Sequence, residues 1–159
     1  METLGAALAA LEGTAVAEYL RVSRWGYAAV STAHILGIAL LVGAILPLHL
    51  RLFGLWRRVS RTGLVRVLVP VAASGLALAA AAGLLLFSIR AREYADIGLM
   101  QAKFALVGFG ALSALALHGT HGLLLEKAGR TRLKAHAAVS LTCWIGAVIC
   151  GRLLAFAGE

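Results

Sequence analysis

The chain has 159 residues, 61% of them hydrophobic and only 14% charged, with a mean hydropathy of +0.90. A water-soluble domain of this size cannot bury so much apolar surface, which excludes secreted, disordered and nucleic-acid-binding proteins even at a net charge of +8. The apolar residues run in long blocks, as in a bilayer protein, where the position of the cations matters more than their sum.

Residues 1–24 contain Glu2, Glu12 and Glu18 and no basic leader, so they do not read as a cleavable signal peptide. Leu4, Ala7, Leu8 and Leu11, at helical spacing, predict a short amphipathic helix on the outer interface. Four apolar runs then follow, at 26–50, 67–89, 98–125 and 135–157, each long enough for the ~20 residues a spanning helix needs. They are Ala/Leu-rich rather than alternating, so helices rather than barrel strands satisfy their backbones in lipid. The expected fold is all-α: an integral membrane four-helix bundle forming one domain over 25–159, with a short interfacial helix before it.

The segment after the first run holds Arg51, Arg57, Arg58, Arg61 and Arg66, and the one after the third holds Lys127, Arg130, Arg132 and Lys134. On the opposite side, Arg21, Arg24, Arg90 and Arg92 are diluted by six carboxylates, so the two basic loops are expected in the cytoplasm and both termini in the periplasm of a bacterial inner membrane. Gly37, Gly43, Gly108, Gly110, Gly119 and Gly122 are candidate helix-contact positions. Pro47 is placed to kink the first helix near His49, and Pro70 to sit harmlessly in the first turn of the second. Cys143 and Cys150 lie about 10.5 Å apart along the fourth helix and cannot bridge.

All five histidines, His34, His49, His118, His121 and His136, fall in or at the edge of these runs, where an ionisable group is a functional candidate by default. By depth, His34, Lys103 and Arg152 share the outer half, and the other four histidines form an inner set. His34 and His49 lie about 60° apart around their helix and about 22 Å apart along it. Lys103 and His121 share a face, whereas His136 and Arg152 are about 160° apart and cannot both point at the bundle axis.

Facing imidazoles in a helical bundle are a way to hold b-type haem, making a membrane electron carrier the first expectation. The inner set allows one bis-histidine haem, pairing His49 or His136 with His118 or His121. The outer set has a single histidine, with Lys103 and Arg152 as cations for propionates or another anion. A copper or zinc site on His118, His121, His49 and His136, with Cys143 as a further donor, is an alternative. So is a quinone or anionic molecule held by His34 and Lys103, with Trp25, Tyr27, Tyr94 and Trp144 around it. From a different class comes a non-catalytic accessory subunit, with a membrane partner or a second copy, for which small size and Gly-rich faces speak. No triad, phosphate loop or carboxylate pair suggests a hydrolase or kinase.

The pattern Ser23-Arg24-Trp25-Gly26-Tyr27, then Thr32-Ala33-His34-Ile35-Leu36-Gly37 through Gly43, closed by Leu50-Arg51-Leu52-Phe53-Gly54, resembles a family of small bacterial four-span inner-membrane proteins of uncharacterised function. Ser140-Leu141, Trp144-Ile145-Gly146 and Gly151-Arg152-Leu153-Leu154-Ala155-Phe156 extend the resemblance over nearly the whole chain, and Lys103 matches a lysine position of the third span. In that family the position of His49 is often acidic, so the resemblance implies His34, Lys103 and Arg152 as its shared site residues. In architecture the family is broadly similar to cytochrome b and copper-resistance membrane proteins.

Overall fold

The computed structural model describes residues 2–121 and 129–156, without the side chains of 118, 120, 121 and 130. Its elements are α1 (Glu2–Glu12), α2 (Ala15–Val22), α3 (Arg24–Phe53), α4 (Arg61–Ser88), α5 (Ala91–Asp96), α6 (Gly98–His121) and α7 (Arg130–Leu153). The described residues contain no strand, and α3, α4, α6 and α7 are each long and apolar enough to cross a membrane. The chain is therefore an all-α, multi-pass membrane protein in contact with lipid.

Side-chain caps set several helix ends. The N-terminal segment is two helices instead of one: Thr14 accepts from the Ala17 N–H at 3.3 Å and starts α2 after the Gly13 break. Ser23 caps α3 through the Gly26 N–H at 3.1 Å, and Gly54, at φ 114°, ends it in the left-handed conformation that glycine adopts without strain. Ser60 caps α4 through the Gly63 N–H at 3.2 Å, so α4 begins six residues before its apolar run. Pro70 consequently lies inside α4 and not in its first turn, because hydropathy marks where lipid begins and a cap marks where the helix begins. The helix continues through it, and Ser74 Oγ donates to the Pro70 carbonyl at 2.9 Å. The expected third span reaches 125, and its last four residues, 122–125, lie outside the described residues; α7 ends at Leu153, short of the expected 157.

The spanning helices neighbour one another in the order α4, α3, α7, α6. The crossing of α3 and α4 is backbone against backbone: a Cβ on Gly37 would lie 2.5 Å from the Ala79 nitrogen, and one on Gly75 2.5 Å from the Leu41 nitrogen. Lipid tails are as apolar as the helices, so close backbone approach is what drives such pairs together. Gly110 instead lies under the side chains of Trp144 and Cys143, and Gly43, Gly108 and Gly119 meet nothing within 4 Å among the described residues. Gly122 lies outside the described residues. Between α4 and α6, Phe87 and Phe104 meet edge to face with centroids 5.3 Å apart.

Two apolar clusters fill the interior. Leu41, Ile45 and Trp144 occupy its middle. Leu48, Leu52, Val65, Leu117, Leu133 and Ala137, drawn from all four spanning helices, close one end. The basic segments lie at that same end, where Arg51, Arg57, Arg61 and Lys134 line one cavity. At the opposite end, Glu12 of α1 takes the Arg92 backbone N–H at 2.9 Å and its guanidinium at 2.7 Å. Arg21 donates to the Glu12 and Ile89 carbonyls, both at 3.1 Å, tying α1 and α2 onto the α4–α5 corner.

Candidate functional site

At the basic end, His49 projects from α3 and His136 from α7, with ring centroids 6.3 Å apart and planes at 27°. His49 is 4% exposed. Its Nδ1 bonds to the Ile45 carbonyl one turn earlier. A carbonyl only accepts, so Nδ1 carries the hydrogen and Nε2 keeps a bare lone pair. That Nε2 is fully buried and has no hydrogen-bond partner among the described residues. Burying an acceptor unpaired costs about 1–3 kcal/mol, so this atom calls for a ligand. His136 is oriented by Ser113 of α6, whose Oγ lies 3.0 Å from Nδ1. Three spanning helices thus meet at one imidazole pair.

The sequence pairs His49 or His136 with His118 or His121; the structure sets His49 beside His136 itself. The side chains of His118 and His121 lie outside the described residues. The other candidate donor, Cys143, is buried beneath Gly110. Among the described residues no group of three or more His, Cys, Asp or Glu side chains gathers round one point.

The second level lies toward the opposite end. The Nδ1 of His34 is 2.7 Å from the Ala79 carbonyl on α4, which again places the hydrogen on Nδ1 and the lone pair on Nε2. The ring packs on Gly83, where a Cβ would fall 2.9 Å from Cε1. Lys103 of α6 lies within electrostatic range of that ring and of Cys150, with its Nζ against Gly151 of α7. Side chains or backbone from all four spanning helices therefore border this level, and its only described cation is Lys103. Arg152 does not join it: exposed, its guanidinium sits 5.0 Å from the Phe156 ring centroid, on the outer surface of α7.

The aromatic residues divide between the two settings. Trp25 is 79% and Tyr27 48% exposed, as interfacial anchors are. Tyr94, on α5, stacks on Phe87 at 6.4 Å, and burial pushes its hydroxyl pKa up. Trp144 belongs to the central cluster between α3 and α7 and does not line the His34 level.

Ser113, Gly83 and Gly151 were not legible as site residues. A lone serine or glycine in a membrane helix carries no signal until the helix opposite is known. Comparison with known protein families, with curated proteins and with solved structures gave no match.

Proposed function

We propose that this protein is a membrane-embedded metal-binding protein whose centre is the His49–His136 pair, with copper as its ion. The observation that carries this reading is the orphaned Nε2 of His49. Its opposite nitrogen is held by a backbone carbonyl, the arrangement that fixes the tautomer of a metal-ligating histidine and raises its basicity. Ser113 Oγ, which can donate or accept, orients the His136 ring through Nδ1.

The choice of ion rests on spacing. Two imidazoles on one ion, each nitrogen at ~2.0–2.1 Å, have centroids about 5 Å apart at a tetrahedral angle and about 6 Å apart when trans. The observed 6.3 Å suits a trans pair. Zinc prefers four tetrahedral ligands, whereas reduced copper accepts few donors and binds imidazole well, so the spacing favours copper over zinc.

The same separation suits the two axial ligands of a b-type haem, which keeps membrane electron transfer as the second reading. Leu48, Leu133 and Ala137 are packed against one another beside the pair, so a macrocycle needs α3 and α7 to part, and a bare ion does not. The protein is expected to sit in the bacterial inner membrane with both termini periplasmic, as the distribution of arginine implies.

The test is to purify the protein anaerobically from copper-, zinc- and haem-replete cells and measure bound metal and the optical spectrum. About one copper per chain, lost in His49→Ala and His136→Ala, is expected. A Soret band with the same dependence supports the haem reading instead. Clean apoprotein in a stoichiometric assembly with another membrane protein overturns both and favours an accessory subunit.

A further inference from the structure

We infer that the basic end of the bundle carries a binding site for the phosphate of an anionic lipid headgroup. A cavity of about 360 Å³ opens there, lined by Arg51, Arg57, Arg61 and Lys134 with no carboxylate among the described residues of its walls; Leu52 and Leu133 supply apolar surface. Scattered surface charge would alternate in sign; here four cations from α3, the α3–α4 loop, α4 and α7 converge on one hollow.

The arginines are partly organised already. Arg51 donates through Nε to the Val59 carbonyl at 2.8 Å and through Nη2 to the Arg57 carbonyl at 3.1 Å. Arg57 donates through Nε to the Gly54 carbonyl at 3.3 Å. These bonds fold the loop over the end of α3 and leave further guanidinium hydrogens without a partner among the described residues, since each guanidinium has five. Arg61 opens α4, and Lys134 lies in the first turns of α7, whose N-cap Gly129 offers no side-chain acceptor. Because Arg61 is the first residue of α4, the positive end of that helix adds to the four side chains.

The location selects the source of the phosphate. The cavity sits where the spanning helices leave the apolar layer, so a lipid can seat its headgroup there while its tails lie along the exposed apolar flanks of α3 and α4. Basic pockets between spanning helices bind such headgroups elsewhere.

The experiment is native mass spectrometry of the full chain released from mixed phosphatidylglycerol/phosphatidylcholine nanodiscs, counting lipids retained. Phosphatidylglycerol should stay bound in preference to phosphatidylcholine. Arg61→Gln with Lys134→Gln should reduce that retention about thirtyfold. Arg58→Gln with Arg66→Gln removes the same charge from exposed positions outside the cavity and should change it little. The charge-keeping pair Arg61→Lys with Lys134→Arg should retain the lipid, guarding against a simple folding defect. Equal loss in both neutralised pairs, or no preference in the native chain, overturns the inference. So does inorganic phosphate binding with the same variant dependence while the lipid is not retained, because the source is then a soluble anion.

Discussion

The two histidine levels differ in what stands beside each ring. His34 and His49 are both pinned through Nδ1 to a backbone carbonyl and both keep a lone pair on Nε2. Yet His49 faces a second imidazole in a nearly closed interior, and His34 faces a glycine wall and a lysine. An imidazole pair can share a cation; an imidazole beside an ammonium repels one. The identity of the neighbour, and not the histidine itself, sets what each level can bind.

Removing the imidazole of each level in turn breaks the comparison most sharply. His49→Ala should abolish copper binding, a larger effect than the 10–100-fold typical of residues that only orient a ligand, while His34→Ala should leave the stoichiometry unchanged. Metal titration of both variants checks this; equal losses would remove the distinction between the levels.

Packing gives the next effect. Gly75→Leu drives a side chain into the α3 backbone and should destabilise the bundle by about 1–3 kcal/mol, whereas Gly43→Leu enters open space and should cost almost nothing. Thermal unfolding in detergent separates the two.

A smaller change is expected at the His34 level. Lys103 has no carboxylate partner among the described residues, and an unpaired lysine in a membrane helix is unfavourable. Lys103→Met should therefore raise the melting temperature, by the equivalent of about 1 kcal/mol; a decrease would mean that the ammonium holds a ligand there.

The smallest effect concerns the N-terminal clamp. The Arg92 backbone N–H and guanidinium hold the Glu12 carboxyl below its ordinary pKa of 4.5. A carboxylate whose folded pKa is lowered contributes stability above that ordinary value and loses it as pH falls through the lower folded one. Hydrogen exchange across 2–22 should accordingly rise as pH drops below about 4.5, after correction for intrinsic rates. In Glu12→Gln the corrected exchange should be raised already at neutral pH and respond little to acid.

The spanning helices were legible because ~20 apolar residues in succession have few other uses. Their ends were not: Ser60 extends α4 past the apolar run, Thr14 splits the first segment, and α5 is too short to leave a periodic trace. Depth along each helix also carried over, since rise per residue is constant; His49 and His136 fall at one level for that reason. Rotation carried over where two residues shared one helix, as with His136, which bonds Ser113, and Arg152, which points outward. Which helices stand side by side did not. Lipid and protein interior are both apolar, so these helices show no polar and apolar faces from which to infer a neighbour. The pairing of His49 with His136, and the role of Ser113, follow from that arrangement alone.

X-ray absorption at the copper K-edge, on protein loaded and purified under reducing conditions, tests the central claim most directly. Two imidazole ligands per copper, with no sulfur scatterer and loss of the signal in His49→Ala, are the expected result. A sulfur ligand, four nitrogens of a porphyrin, or a spectrum unchanged by His49→Ala would contradict it.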